Sequence, residues 1–542
     1  MDFIFGTWAT DELKLLHHRA TRQGIQHDHA IIPRDPGPDT PVMIRVRVGP
    51  DIAADHIACY FTTDGSDPTG EHGIASNGRA IPLAQTKTEW DSLVWGYITT
   101  WTATLPPQPA GTVMRYRIGA WAVRDNVNGP EIFADWPDAD ATIEAATAAH
   151  FSGKDVPNPA PYDGQATTFT YHVDTLMPPE WAHEAIIYHV FIDRFYPGAG
   201  KDWLQTDDLN GFCGGTLWGV RDKMDYIADL GATCIWLSPL WPSPTHHGYD
   251  VTDYRRVEPR LGGDEALRAV VEAAHARGMR VLLDLVCNHI SHQHPIFVEA
   301  YNDPRSPYRA WFTFDDSRMG YRSFFGAKQM PQVNLAHPLA RAWMLDITRY
   351  WLREFDVDGY RLDYANGPGA SFWPDFRAAC KQIKPDSFCF GEIVDSPEVL
   401  RTYEGRLDGC LDFQVGEALR KTYGWQTWTE ADLDRFLNHH ANYFSPDFVI
   451  PTFIDNHDMD RFLFIAGDDK DALRRAAAKQ MSLEGPPIIT YGTEIGLSQA
   501  VSTRDGMGLH LSRTPMRWDD RQDQDLLAYY QTLIEQRKTN RT

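Results

Sequence analysis

Four short stretches of the 542-residue chain place polar groups where chemistry can use them. They are DLVCNH, with Asp284, Asn288 and His289; GYRLD, with Arg361 and Asp363; GE, with Glu392; and FIDNHD, with Asp455, His457 and Asp458. Each closes a short apolar run. Taken singly, a strand-end Asp or Asn more often caps the next helix, and a lone His is usually a satisfied core residue. Taken together they say more. Several acids buried beside one Arg raise one another's pKa, so that one carboxyl keeps its proton while another stays ionised. A protonated acid beside an ionised carboxylate is the equipment of glycoside hydrolysis.

For these groups to meet, the elements carrying them must open on one face. Eight apolar runs alternate with amphipathic helices: residues 185–193, 233–239, 280–286, 357–363, 388–392, 409–413, 449–455 and 487–492. Runs buried on both faces and separated by helices such as DEALRAVVEAAHARG imply parallel strands, and eight such units are what a closed (β/α)8 TIM barrel needs. Periodicity alone also allows an open doubly wound sheet. Between the third run and the helix near residue 339 lie about fifty residues rich in aromatics, Pro and Asp, too many for an ordinary βα loop. An inserted subdomain, residues 287–338, is expected there, forming one wall of a cleft.

Before residue 175 the pattern is different. VMIRVRV (42–48), HIACYFTT (56–63) and VMRYRIGAWAV (113–123) alternate in polarity and are separated by Gly/Pro/Asp clusters, which predicts an N-terminal antiparallel β-sandwich over 1–175. A Pro/Gly-rich segment, 153–165, interrupts it before its last strand. The catalytic unit then runs over 176–542.

The formal charge of −23 disfavours phosphate backbones and anionic lipid, so nucleic-acid and membrane partners are not expected. Seven cysteines without a CxxC pair read as reduced core residues. The amino-terminal stretch lacks the basic-then-apolar pattern of a secretion signal, and no run reaches the ~18 apolar residues of a membrane span, so a cytoplasmic protein is expected.

From about residue 180 the chain resembles the α-amylase family, glycoside hydrolase family 13. Its motifs stand in the family's order: GFCGGTLWGV, SPLWPSPTHHGYDVTDY, DLVCNH, QMPQVNL, GYRLDYANG, GEI, FIDNHD and GTEIGL. The sandwich, QMPQVNLAHP and DGYRLDYANG make it most similar to the neopullulanase, cyclomaltodextrinase and maltogenic amylase group. The resemblance implies Asp363 as nucleophile, its pKa lowered by Arg361; Glu392 as general acid/base; and Asp458 as stabiliser of the distorted sugar. It also implies that His289 and His457 bind sugar hydroxyls and that Tyr249 stacks on the ring. The activity implied is retaining hydrolysis of α-1,4-glucosidic bonds in maltooligosaccharides, cyclodextrins or starch fragments, with some transglycosylation and no organic cofactor. A 4-α-glucanotransferase uses the same triad, and a sugar-binding subunit that has lost catalysis is the reading of another class; the intact acids oppose the latter. The sandwich is expected to bind carbohydrate or to make a homodimer contact.

Three departures qualify the resemblance. FYPGAGKDWLQTDD replaces an Asn/Asp-rich calcium loop, so Asn288 either ligates calcium or simply holds its loop. Gly367 stands where close relatives usually carry Glu, beside the acceptor side. The chain also ends at the apparent last barrel helix, where the family usually adds a β-domain. Among aromatics near the cleft (Trp241, Trp311, Phe324, Phe325, Trp373), Trp241 and Trp373 are taken as sugar-stacking residues, although singly each type is more often core.

Overall fold

The computed structural model describes residues 11–134, 167–198, 200–204, 208, 210–315, 319–369, 371–504 and 508–541. The Pro/Gly-rich segment 153–165 and the strand-one loop residues Ala199, Gln205, Thr206 and Asp207 lie outside them.

Alternation builds the sandwich. In Val42–Val48 the side chains of Val42, Ile44, Val46 and Val48 are buried while those between them are not, and this strand pairs antiparallel with Gly96–Leu105, Val42 opposite Leu105. The second sheet centres on Thr112–Trp121, flanked by His56–Thr62 and Phe169–Val173. Ile44, Val46, Cys59, Phe61, Ile118 and Phe169 close the space between the sheets. Antiparallel structure ends at Val173, and the first helix beyond it starts at Glu180.

The sandwich is fastened to the barrel through the helix Trp373–Ile383. Asp375 on that helix lies 2.9 Å from His172 Nε2 and 3.5 Å from Arg115 Nη2, both on sandwich strands. Two residues further, Arg377 donates to Asp408 Oδ1 at 3.1 Å and to the carbonyl of Leu176 at 2.6 Å.

Seven strands form one parallel sheet in sequence order: Ile187–Val190, Cys234–Leu237, Arg280–Val286, Gly359–Asp363, Phe388–Gly391, Gly409–Cys410 and, beside the first, Ile488–Thr490. The seventh apolar run closes the ring without forming a ladder. Val449 bridges Gly409 and Thr452 bridges Pro487, with Cys410 N donating to Val449 O at 3.1 Å and Ile488 N to Thr452 O at 2.7 Å. Pro451 lies between the two bridges and has no N–H to offer, so the pairing stays local. A closed barrel results, and the open-sheet alternative is set aside. Trp236, Leu282, Phe388, Phe390, Phe453 and Ile488 fill its interior.

At Gly359, φ is +140° and an added Cβ would lie 1.9 Å from the carbonyl oxygen of Phe388, so only glycine lets the fourth strand come this near the fifth. The insertion after strand three carries the helix Pro295–Asn302 and single turns at Arg309–Trp311 and Phe324–Gly326. Its two ends meet where His289 bridges Gln332, and Gln332 Nε2 donates to the carbonyl of Gly367, beyond the fourth strand, at 3.4 Å. In the last helix, Gln524–Arg541, the side chains of Leu526, Tyr530 and Ile534 are buried against the barrel, while Leu527 and Leu533 are half-buried. All seven cysteines are buried and unbridged. Among the described residues no helix is long and apolar enough to cross a membrane.

Candidate active site

Parallel strands release their carboxyl ends on one face, and there the predicted residues converge. Tyr249, His289, Asp363, Glu392 and Asp458 line a single cleft of about 370 Å³. Arg361 organises its floor. This fully buried guanidinium places Nη1 2.7 Å from Asp284 Oδ1 and 2.9 Å from Asp363 Oδ1, and Nη2 2.7 Å from Glu392 Oε1. Asp284 is held further by Trp236 Nε1 at 3.1 Å and by the Tyr249 hydroxyl at 3.0 Å. The other oxygen of Glu392 accepts from the amide of Tyr364 at 3.1 Å.

Three carboxylates around one guanidinium cannot all be ionised cheaply. Burial drives Asp284, Asp363 and Glu392 each up to about 7, against the pull of Arg361. The expected lowering of Asp363 by Arg361 is therefore outweighed: desolvation, with the charges of Glu392 and Asp458, exceeds it. Asp363 and Glu392 are thus both held well above the usual carboxylate range, each raising the cost of ionising the other. Asp458 behaves otherwise. Burial pushes it up too, but His457 Nε2 at 3.0 Å and Arg513 Nη2 at 2.6 Å, with Arg361 nearby, hold it well below the usual carboxylate range. One site thus contains two acids raised by burial and a third held ionised by its cations.

A neutral imidazole, His289, lines the cleft, and another, His457, lies fully buried behind Tyr249. Burial holds His289 down to about 3 and His457 to about 4, so both are uncharged at neutral pH. His457 Nε2 lies 2.5 Å from the Tyr249 hydroxyl, and the Tyr249 ring stacks on it, 6° from parallel. Uncharged rings and a hydroxyl suit a ligand rich in hydroxyl groups.

Two predicted sugar-stacking residues do not reach the cleft, and the predicted sugar-binding His457 and Arg361 lie beneath it, fully buried. Trp241 is 1% exposed and packs on Tyr254 and Trp351; Trp373 is 0% exposed, packs on Phe372 and Phe376, and donates its indole N–H to the carbonyl of Ala365. Both are core residues, packed among other aromatic rings. Trp311 is likewise buried, against Tyr308 and Trp343. Phe324 does reach the cleft.

Asn288 is hydrogen-bonded inside the protein. Its Oδ1 accepts from Gln332 Nε2 at 2.8 Å and its Nδ2 meets His289 Nδ1 at 3.2 Å, so both ends of the amide are engaged within the protein. Among the described residues no group of three or more His, Cys, Asp or Glu side chains is placed to hold a metal, whereas a hard cation takes six or more oxygens. No step below is routed through one. Asn288 also explains Gly367: a Cβ there would lie 1.9 Å from Asn288 Oδ1, so a glutamate is not accommodated beside it.

Residues that strand-end reasoning missed are Arg513, His247, His510 and Tyr364, all lining the cleft. Arg513 arrives from a long loop after the eighth strand, far from any apolar run; an arginine in SRTPMRWD carries no periodic signal.

The sequence model of the alpha amylase catalytic domain matches residues 189–542. The chain belongs to the α-amylase family. It is 38% identical over 371 residues to Alpha-amylase 2 of Dictyoglomus thermophilum, covering 68% of this chain and 65% of that protein. With the Intracellular maltogenic amylase of Bacillus subtilis, identity is 35% over 390 residues, 69% of this chain and 65% of the relative. In both comparisons the chain thus spans just under two thirds of the relative's length. Among solved structures, a cyclomaltodextrinase superposes with a TM-score of 0.63 at 25% identity, covering 95% of this chain and 84% of its own. The cyclic alpha-maltosyl-(1-->6)-maltose hydrolase of Arthrobacter globiformis gives 0.62 at 28% identity, over 66% and 83%. Asp363, Glu392 and Asp458 lie together in the cleft at the carboxyl ends of the barrel strands.

Proposed function

We propose that this α-amylase family chain is a retaining α-glucan hydrolase that cleaves α-1,4-glucosidic bonds of maltooligosaccharides, cyclodextrins or starch fragments. The observation that carries the reading is the division of charge on the cleft floor: Arg361 touches both Asp363 and Glu392, while Asp458 keeps its own cation in Arg513. Asp363 attacks the anomeric carbon and Glu392 gives its proton to the departing oxygen. The C1–O bond to the leaving sugar breaks as the bond to Asp363 forms. In the second half, the oxygen of water bonds to C1 as its proton passes to Glu392 and the C1–O bond to Asp363 breaks, which restores the acid and the carboxylate. Asp458, ionised throughout, faces the positive charge that develops on the ring. One guanidinium bridging both reacting carboxylates favours the ~5–5.5 Å carboxyl spacing of retaining enzymes over the wider spacing that inversion needs. The names of the relatives, a maltogenic amylase and a cyclomaltodextrinase, support the substrate class. A cytoplasmic location is proposed with it, supported by the intracellular maltogenic amylase among those relatives.

The test is parallel incubation with β-cyclodextrin, pullulan and soluble starch, with products read by chromatography and the first-formed anomer by NMR. α-Anomeric maltooligosaccharides are expected. A β-anomer as first product, or no cleavage of any of the three, would reject the reading.

A further inference from the structure

On the first barrel strand His189 is 0% exposed, and neither of its ring nitrogens has a hydrogen-bond partner among the described residues. Its ring stacks on Trp236 at 3.9 Å and 27°. Stacking alone needs no nitrogen: a phenyl ring would fill the same space without burying two unpaired polar atoms. The ring beside it carries a matching deficit. His457 lies 4.9 Å away between centroids, tilted by 54°, and its Nδ1 is likewise buried without a partner among the described residues.

The other nitrogen of His457 decides what that Nδ1 must be. Nε2 stands 3.0 Å from Asp458 Oδ2, an ionised carboxylate that can only accept. It also lies 2.5 Å from the Tyr249 hydroxyl, which gives its own proton to Asp284. The proton of the neutral imidazole therefore belongs on Nε2, and Nδ1 is left as a buried acceptor in need of a donor. Four aromatic rings pack around His457: His189, Phe191, Trp236 and Tyr249. Phe191 has no polar hydrogen, Trp236 gives its N–H to Asp284, and the Tyr249 hydroxyl serves Nε2. Of the four, only His189 has an N–H not already given.

We infer that His189 is a positioning residue for Asp458: through one ordered water it donates to His457 Nδ1 and so holds the imidazole in the tautomer whose Nε2–H binds the carboxylate. The opposite tautomer would turn a lone pair toward Asp458 and leave that anion to its arginines. The inference rests on the hydrolase reading for the part Asp458 plays, whereas the tautomer is a property of the resting protein. His189 does not line the cleft, so its effect on the reaction passes through Asp458. Because Asp458 faces a charge that develops only in the transition state, the effect falls on kcat more than on KM.

Two measurements on the full chain test this. The first is nitrogen NMR of isotope-labelled histidine in the parent, with the His457 signals assigned by their loss in His457→Gln. A protonated Nε2 and a hydrogen-bonded, unprotonated Nδ1 are expected; a proton on Nδ1 overturns the inference without any further variant. The second is maltotriose hydrolysis by His189→Phe, which keeps a ring on Trp236 but has no N–H, and by His189→Gln, which restores a donor. His189→Phe is expected to lower kcat about ten-fold, the scale of one hydrogen bond, with KM within about two-fold of the parent and the His457 nitrogen signals shifted. His189→Gln should recover kcat to within about three-fold of the parent. Parental kcat with unmoved His457 signals in His189→Phe overturns the inference, and so does an equal loss in both variants, which marks a packing role. Should His189→Phe fail to fold by circular dichroism, the parent spectrum decides. A parent that cleaves no α-glucan refutes the hydrolase reading, and the nitrogen spectra of parent and His189→Phe then decide the His189 contact by themselves.

Discussion

Asp363 and Glu392 touch the same guanidinium yet are assigned different tasks, one forming a bond and the other moving a proton. An amide can do neither. Asp363→Asn and Glu392→Gln should each lower kcat by roughly 10³-fold or more with the fold intact by circular dichroism; retention of over a tenth of parental activity in either variant would remove that residue from its role. Because burial raises both to about 7, the productive state is the pair with one proton. As pH rises through that value the proton is lost and no acid remains, so kcat/KM should decline on a basic limb near 7. Asp458 makes a separate prediction. Arg513 helps hold its pKa down, so Arg513→Ala should raise it, as read by carboxyl NMR titration of Asp458. An unmoved titration in the variant would show that His457 and Arg361 suffice.

Strand ends present these side chains, and the spacing between strands sets how they meet. Asp284 and Arg361 are direct partners in the pairing of the third and fourth strands, and Arg361 pairs with Phe390 of the fifth. This is why the guanidinium reaches acids on both sides. Gly359, two residues before Arg361, lets the fourth strand approach the fifth. Gly359→Ala combines a positive φ with a backbone clash and should destabilise the barrel by about 3 kcal/mol or more, in the range of the largest point-mutant effects. Urea unfolding would measure it; a change under ~1 kcal/mol would mean the strands separate at little cost.

Sandwich and barrel are joined at a small set of charges. Asp375 is the centre of that joint, within 3.5 Å of His172, Arg115 and Arg341. Burial pushes its pKa up, but His172, Arg341 and Arg115 outweigh burial and depress it. A depressed carboxylate contributes stability that is present above its unfolded pKa of ~3.9 and is lost as pH falls through the lower folded value. Asp375→Ala should therefore uncouple the two domains, giving an early, separate calorimetric transition at neutral pH. The parent should show the same early transition only in acid. A single unshifted transition in the variant would place the strength of the joint elsewhere, at Arg377 and Asp408.

Apolar periodicity was enough to mark the alternating strands before residue 175 and the eight barrel runs, and strand-end polarity marked Asp363, Glu392 and Asp458 among several polar neighbours, whose separate roles are implied by the family resemblance. Those features are local: a run of Val, Ile and Leu, or an Asp two residues after an Arg, is written in neighbouring positions. Which residues meet across the barrel is a property of closure. Only the tertiary structure removed Trp241 and Trp373 from the cleft and supplied Arg513 and Tyr364 to it, because exposure depends on what packs against a side chain from distant parts of the chain. The direction of the Asp363 shift was decided in the same way. Sequence shows an adjacent arginine, but the desolvation that outweighs it comes from all the strands around it at once, and no short stretch of sequence records that burial.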